Sequence, residues 1–464
     1  MKNIILIITD TFRYDNLKNN PHRFVRTPEL DKFAVERATS IENFYTGSFP
    51  TIPHRTDVAT GKLGWQHYSW QPIDLSGANH IASILKQAGY VTQLICDCPH
   101  LFKARFQHAF DAAFQHRGQE GDKYLLHFNH PIESVMPMQK TRYQPAFQNH
   151  CLADVHRWMN RYPETEYETF PAKTGQTALR WLEENSRVAG FFLWVDFFDP
   201  HEPWDPPEYL VRRYDPDYRG TPMIHPNYGP ATDYSEAELK NLAAHYAAES
   251  ELVDRWIGRI LQKVDDLELW DDTIVVVTAD HGISLGEHNR TGKSNIHPKD
   301  DRFWPIYPEI SHVPFLIAGA SIPRGQHLNF IAQPIDILPS LCDLAGIRVA
   351  PPDGFDGISF ADALLKGKSE HRQFAISGCH FKPLNAAIPE KSNTPFLVTD
   401  RWGFAPIGAA GKPELFDLNE DALAARNIAD NNRKLISELS TLFTDYLKSS
   451  NAPESMIRSF ENKR

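Results

Sequence analysis

Five short runs along the chain are almost wholly apolar: "IILIIT" (4–9), "VTQLIC" (91–96), "GFFLWVDF" (190–197), "TIVVVTA" (273–279) and "VPFLIAG" (313–319). Uninterrupted apolar runs of this length read as strands covered on both faces. Between them the apolar period lengthens to that of a helix. "HIASILKQAG" (80–89) ends on a glycine suited to a C-terminal cap, 233–266 reads as one long amphipathic helix or a helix pair, and "PIDILPSLCDLAG" (334–346) is a further helix. Strands alternating with helices predict an α/β fold around a large, mostly parallel sheet. Two stretches break the rhythm. Residues 115–180 and 200–235 are rich in Pro, His, Tyr, Arg and Asn and read as long insertions or loops. After about 365 the pattern changes again: "QFAISGCH" and "PFLVTDRWGFAPI" read as strands and 433–450 as a final amphipathic helix. The division expected is a catalytic α/β domain over 1–365 and a small α+β subdomain over 366–464.

Composition narrows the function. The chain has 464 residues, 41% hydrophobic and 23% charged, with a net charge of −11. That acidity argues against a nucleic-acid or membrane-surface binder, both of which present a basic face. No apolar stretch approaches the roughly 20 residues that span a bilayer. "MKNIILIITD" lacks a cleavage site and a long enough apolar core for a signal peptide, so it reads as a buried strand. Five scattered cysteines (Cys96, Cys98, Cys151, Cys342 and Cys379) read as free thiols, pointing to a reducing, cytoplasmic setting. Cys96-Asp97-Cys98 has no partner pair at zinc-site spacing and reads as buried thiols.

The candidate chemistry sits where strands end. Asp10 closes the first strand and Asp280-His281-Gly282 closes another. Ligands bind beyond the carboxyl ends of strands in open α/β sheets. Two carboxylates and an imidazole brought to one edge make a divalent metal site.

"IILIITDTFRYDNL", "TIPHRTDVATG", "DPHEPW", "TADHGISLGEH" with Gly292-Lys293, "VPFLI" and "ELFDLNEDALAARNIA" together resemble the sulfatase family of the alkaline phosphatase superfamily, in the family's order and over nearly the whole chain. The resemblance implies that fold and a metal-assisted hydrolysis of a sulfate, phosphate or phosphonate ester. It also sets the frame of "GSFPTIPHRTDVATGK" (47–62). Family members read Cys-or-Ser-x-Pro-x-Arg and later Thr-Gly; Arg55, Val58 and Thr60-Gly61 are rightly spaced only if Thr51 holds the nucleophile position. Ser48 begins a frame with Ile52 in place of the arginine. Sulfatases convert the first residue to formylglycine, and threonine is not a known substrate for that conversion. Enzymes similar in core, such as the nucleotide pyrophosphatase/phosphodiesterases, use an unmodified threonine. A phosphothreonine is cleared by water attacking phosphorus, whereas a sulfothreonine lacks the exit an aldehyde hydrate provides. The expectation therefore tilts to phosphate or phosphonate esters, with no formylglycine.

By the same resemblance Asp10, Thr51, Asp280 and His281 are expected to hold one divalent ion, Mn²⁺, Zn²⁺ or Ca²⁺, with Thr11 where many sulfatases have a second aspartate. His201 protonates the leaving oxygen or contacts the transferred group. Lys293 and Arg55 are expected to bind the charged oxygens, Arg55 also orienting the nucleophile and helping to hold the metal-side carboxylates. Asp97 stands where sulfatases usually carry a sulfate-gripping lysine, and His100 is a candidate substrate contact in its place. A second zinc would need ligands among Asp196, Asp199, His201, His297 and His312. The rival readings are a sulfatase acting on an aryl or carbohydrate sulfate, a non-catalytic anion-binding member, and a transferase to an alcohol. Trp158, Tyr162, Tyr167, Trp204 and Tyr209 in the insertions are expected to pack loops before they stack on a substrate.

Overall fold

The computed structural model describes residues 1–17, 20, 22–67, 80–122, 129–142, 146–160, 165–319, 321–348, 354–379 and 393–461. Its largest element is an eight-stranded sheet in the order Gln326–Ala332, Ala38–Phe44, Phe315–Gly319, Thr273–Ala279, Asn3–Thr9, Phe191–Phe197, Val91–Cys96, Ala112–Gln115. Only Phe315–Gly319 runs against the others. The five apolar runs are its five neighbouring inner strands. Asn3–Thr9, Phe191–Phe197 and Thr273–Ala279 are buried at every residue, as strands covered on both faces must be. The three strands not read from the sequence flank them. "ATSIENF" and "QHLNFIA" carry polar residues, and Gln326–Ala332 is half exposed, so no continuous apolar run marks them.

The 233–266 segment is one helix, Glu236–Asp266. Ser235 caps it: its hydroxyl accepts from Glu238 N at 3.3 Å while the Glu238 carboxylate accepts from Ser235 N at 2.8 Å, a reciprocal cap that satisfies two orphan donors. The helix packs against Phe170–Asn185, Glu208–Tyr214 and Pro28–Glu36. The 115–180 stretch is thus not loop throughout: Leu152–Met159 and the 16-residue Phe170–Asn185 are helices. The second of these brings Gly175 onto the Trp256 ring of the long helix. Trp158 and Trp204 are buried and pack, as expected of loop aromatics, while Tyr167 and Tyr209 are half exposed; Tyr162 lies outside the described residues.

A second, five-stranded sheet runs Glu414–Asp417, Trp402–Ala405, Phe396–Thr399, Phe374–Cys379, Ser48–Phe49. Its last strand comes from the N-terminal half, pairing Ser48 with Gly378 and Phe49 with Cys379. The C-terminal part therefore grips the chain two residues before Thr51. No helix among the described residues is long and apolar enough to cross a membrane. All five cysteines are free.

Candidate active site

Sheet register builds the site. Thr9 stands level with Ala279 on one side and Phe197 on the other. Asp10 and Asp280, the next residues, therefore leave the carboxyl edge side by side. Asp280 N donates to Thr9 O at 3.1 Å and Asp10 N to Phe197 O at 2.9 Å. Thr11 turns the chain away with φ 65°, a costly conformation for a β-branched residue. Two bonds hold it there: Thr11 N donates to Asp280 Oδ1 at 3.0 Å and Thr11 Oγ1 to Asp10 Oδ1 at 2.7 Å. Gly282 has to be glycine, since a Cβ there would lie 2.2 Å from Glu309 O.

The Thr51–Thr60 helix meets this edge. Gly61 ends it in the left-handed conformation, φ 65°, which explains the Thr-Gly of the motif. Four residues after Thr51, and so on the same helical face, Arg55 is wholly buried. Its Nε and Nη2 donate to the two oxygens of Asp196 at 3.1 and 3.0 Å, and Nη1 donates to Asp10 Oδ2 at 3.2 Å and to Asp280 Oδ2. Such a fork holds three carboxylates in fixed relation. The guanidinium thus helps to hold the metal-side carboxylates Asp10 and Asp280, as expected, and adds Asp196 to them. Asp196 is Arg55's partner, held also by Trp194 Nε1 at 3.0 Å.

His281 completes the centre. Its Nδ1–H donates to Gly282 O at 2.9 Å, which leaves the Nε2 lone pair facing Asp280 Oδ2 at 3.5 Å and Asp10 Oδ1 at 3.8 Å. Nε2 is buried without a hydrogen-bond partner. Burial pushes the ring down to about 3, so it stays neutral. Burial opposes ionisation of Asp10, yet Lys293 and Arg55 hold its carboxyl well below the usual range; burial pushes Asp280 well above it. Two carboxylate oxygens and an imidazole lone pair, all acceptors within 4.8 Å of one another, fit a divalent cation and no hydrogen-bonding pattern of their own.

Thr51 Oγ1 is buried and makes no hydrogen bond. The Phe49 ring, two residues earlier, packs edge-on against His281 at 4.8 Å. Ser48 is occupied elsewhere: its hydroxyl donates to Asp57 Oδ1 at 2.8 Å and accepts from Gly64 N at 3.1 Å. His54 escaped the sequence reading. It is fully buried with neither ring nitrogen partnered, and burial pushes it well below its ordinary value.

Opposite stand Lys293 and the loop that follows Phe191–Phe197. Lys293 Nζ lies 3.4 Å from Thr11 Oγ1, 3.9 Å from Asp10 Oδ1 and 3.6 Å from Glu202 Oε2. His201 stacks on Phe198 at 4.1 Å, and its Nδ1–H donates to Glu202 O at 2.6 Å. Glu120 Oε2 and Glu202 Oε2 lie 3.5 and 3.7 Å from the same nitrogen. Neither glutamate was singled out from the sequence, although Glu202 lies inside "DPHEPW". Asp97, in place of the lysine, accepts from Phe198 N at 2.6 Å, and burial pushes it up to about 7; it shapes this loop. His100 meets Phe198 edge-on at 5.7 Å and burial pushes it down to about 3. The other residues considered for a second metal do not converge. Asp199 accepts from Gln119, His297 lies beside Asp233, and His312 is stacked between Tyr14 and Tyr45.

A mostly parallel sheet thus carries an acceptor cluster at its carboxyl edge, the place where open α/β sheets bind ligands. Comparison with known proteins gives the class. The family model described as Sulfatase matches residues 2–347. An arylsulfatase of Clostridium perfringens is 26% identical over 464 aligned positions, covering 92% of this chain and 90% of that protein. The phosphonate monoester hydrolase of Agrobacterium radiobacter superposes with a TM-score of 0.72 at 21% identity, over 97% of this chain and 96% of that one. A 2-O GAG sulfatase does so at 0.69 and 18%, over 97% and 92%. The chain belongs to the sulfatase family, whose enzymes use a divalent metal.

Proposed function

We propose that the protein hydrolyses phosphate or phosphonate esters, with unmodified Thr51 as nucleophile. The observation that carries this reading is the Thr51 hydroxyl, buried and unbonded, in the first turn of the helix whose Arg55 ties Asp10 to Asp280. A divalent cation held by Asp10, Asp280 and His281, with the Thr51 hydroxyl beside them, would supply Lewis-acid charge for the attacking oxygen and the transferred group. Thr51 Oγ forms the new bond to phosphorus as the bond to the alcohol oxygen breaks. His54, neutral and three residues along the same helix, offers an acceptor for the Thr51 proton. Lys293 is the cation available to the non-bridging oxygens. His201 gives a proton to the departing oxygen and later takes one from the water that cleaves the Thr51 ester. The alcohol is placed on the His201 side. His100, neutral beside Phe198, is assigned a minor contact in the same region.

Sulfate esters are the second reading, favoured by the arylsulfatase relative. Purified protein loaded in turn with Mn²⁺, Zn²⁺ or Ca²⁺ is to be assayed on matched aryl phosphate, phosphodiester, phosphonate and sulfate esters. Turnover of phosphorus esters is expected, falling at least about 10³-fold in Thr51→Ala with an unchanged melting temperature. Turnover confined to the sulfate, or an unaffected mutant, would overturn the assignment.

A further inference from the structure

Glu202 holds a position that the proposed reaction has so far left without a role. It is 1% exposed and lies against three partners. Its Oε1 accepts from the Tyr228 hydroxyl. Its Oε2 has no hydrogen bond but stands 3.6 Å from Lys293 Nζ and 3.7 Å from His201 Nδ1. Its own backbone oxygen receives the His201 Nδ1 proton. Glu120 faces the same nitrogen, and its second oxygen lies 3.5 Å from Arg142 Nη1.

Glu120, His201 and Glu202 present three buried ligand-type atoms within 4.8 Å, which invites a second cation. The proton placement argues otherwise. A nitrogen 2.6 Å from a carbonyl oxygen carries a hydrogen, so Nδ1 has no lone pair to give, and stacking on Phe198 holds the ring in that pose. Lys293 and Arg142 already supply positive charge to the two carboxylates. What the cluster lacks is not a metal but a second proton on the imidazole, at Nε2.

We propose that Glu202, with Glu120 behind it, is a positioning residue that presents His201 as a charged acid and Lys293 as an anion holder. The arrangement fits the enzyme to esters of aliphatic alcohols, whose alkoxides do not depart unprotonated. This rests on the hydrolysis reading given above. In the step itself the bond between the transferred atom and the alcohol oxygen breaks and its electron pair goes to that oxygen. The proton on His201 Nε2 joins it, and a neutral alcohol leaves. The water that opens the Thr51 ester returns a proton to Nε2, so the ring ends as it began. Nδ1–H stays on the Glu202 carbonyl throughout, with both carboxylates balancing the imidazolium.

The test is the leaving-group dependence of Glu202→Gln, which keeps the shape and removes the charge. On a 4-nitrophenyl ester, which needs no proton, a loss of about tenfold is expected through the displaced Lys293. On the methyl ester of the same acid the loss is expected to reach about 10³-fold, the range of a general acid. An equal loss on both esters would reduce Glu202 to a structural role and overturn the proposal, whatever happens to the melting temperature. Activity of the wild type on no ester would sink the hydrolysis reading; the positioning role is then decided by nitrogen-15 NMR of the His201 ring. A protonated Nδ1 whose resonance moves in Glu202→Gln supports it, and an unprotonated Nδ1 in the wild type overturns it. Binding of a second equivalent of Mn²⁺ or Zn²⁺ that vanishes in Glu202→Gln would equally overturn it, in favour of a metal site.

Discussion

Two clusters in this molecule have the same composition, two carboxylates and one imidazole, and opposite character. At the carboxyl edge, His281 donates its Nδ1 proton away to Gly282 O and turns a bare Nε2 toward Asp10 and Asp280. In the neighbouring loop, His201 points its protonated Nδ1 at Glu120 and Glu202. The first cluster consists of acceptors only and calls for a cation. The second already contains its donor and calls for a proton on the far side of the ring. In both rings Nδ1–H is bound to the next residue's carbonyl; what differs is whether the acids face the bare nitrogen or the protonated one. Residue type thus names a family of chemistries, and the orientation of the ring toward its acids selects among them.

The largest effect that would break this comparison comes from Arg55. Arg55→Ala leaves Asp10, Asp196 and Asp280 buried without their shared cation, and a loss of about 3–5 kcal/mol is expected on denaturant unfolding. A loss under about 1 kcal/mol would mean that the three carboxylates are not held apart by it. Next comes the metal. A cation that binds the first cluster only in the folded state stabilises by about 2.7 kcal/mol at one hundred times its dissociation constant. The melting temperature should rise with added Mn²⁺ or Zn²⁺, fall again on chelation, and stop responding in Asp10→Asn. Glu202→Gln should keep the response, since its cluster is expected to take no metal. A response lost in Glu202→Gln and kept in Asp10→Asn would exchange the two assignments.

A third imidazole sharpens the contrast. His288 is bonded through Nδ1 to Glu309 Oε1 at 2.9 Å and through Nε2 to Ala424 O at 2.9 Å, and stacks on Tyr307. Burial lowers its basicity, but Glu309 more than offsets this and raises the ring to about 9. Both nitrogens face acceptors, so both carry protons. A raised value means the ring's stabilisation is complete below its ordinary pKa of about 6.5 and is lost as pH climbs through about 9. Against His288→Gln, the wild type should melt higher at pH 6, by about 2 kcal/mol of stability, and the gap should close by about pH 10. A gap independent of pH would mean that the ring is neutral in the folded protein.

Much of the site could be read along the chain, and the reasons are specific. Asp10, Asp280 and His281 directly follow apolar strands, and parallel strands deliver their ends to one edge. The frame that makes Thr51 the candidate came from the family resemblance, whose motif fits Arg55 and Thr60-Gly61 only from that residue. The flanking strands Ala38–Phe44 and Gln326–Ala332 carry no apolar signal, because polar residues such as Thr39, Ser40, Glu42, Gln326 and Asn329 interrupt any continuous apolar run. Glu120 was missed because it lies 81 residues from His201, and no sequence spacing carries that contact. Glu202 was passed over beside a more conspicuous histidine, and His54 because nothing local in "TIPHRTDVAT" marks a histidine that loses its partners on burial. Arg55 was expected to help hold the metal-side carboxylates, and only the tertiary structure adds Asp196 to Asp10 and Asp280 as its partner.

By itself the sequence determined the inner sheet and the edge at which Asp10, Asp280 and His281 follow their strands. Those follow from apolar period and strand ends, which are local properties. The tertiary structure alone decided where protons sit: which nitrogen of each histidine faces the acids, which carboxylate is held low, and which cation is left for an anion. Those depend on groups that meet across hundreds of residues, in an interior where an uncompensated charge costs several kcal/mol.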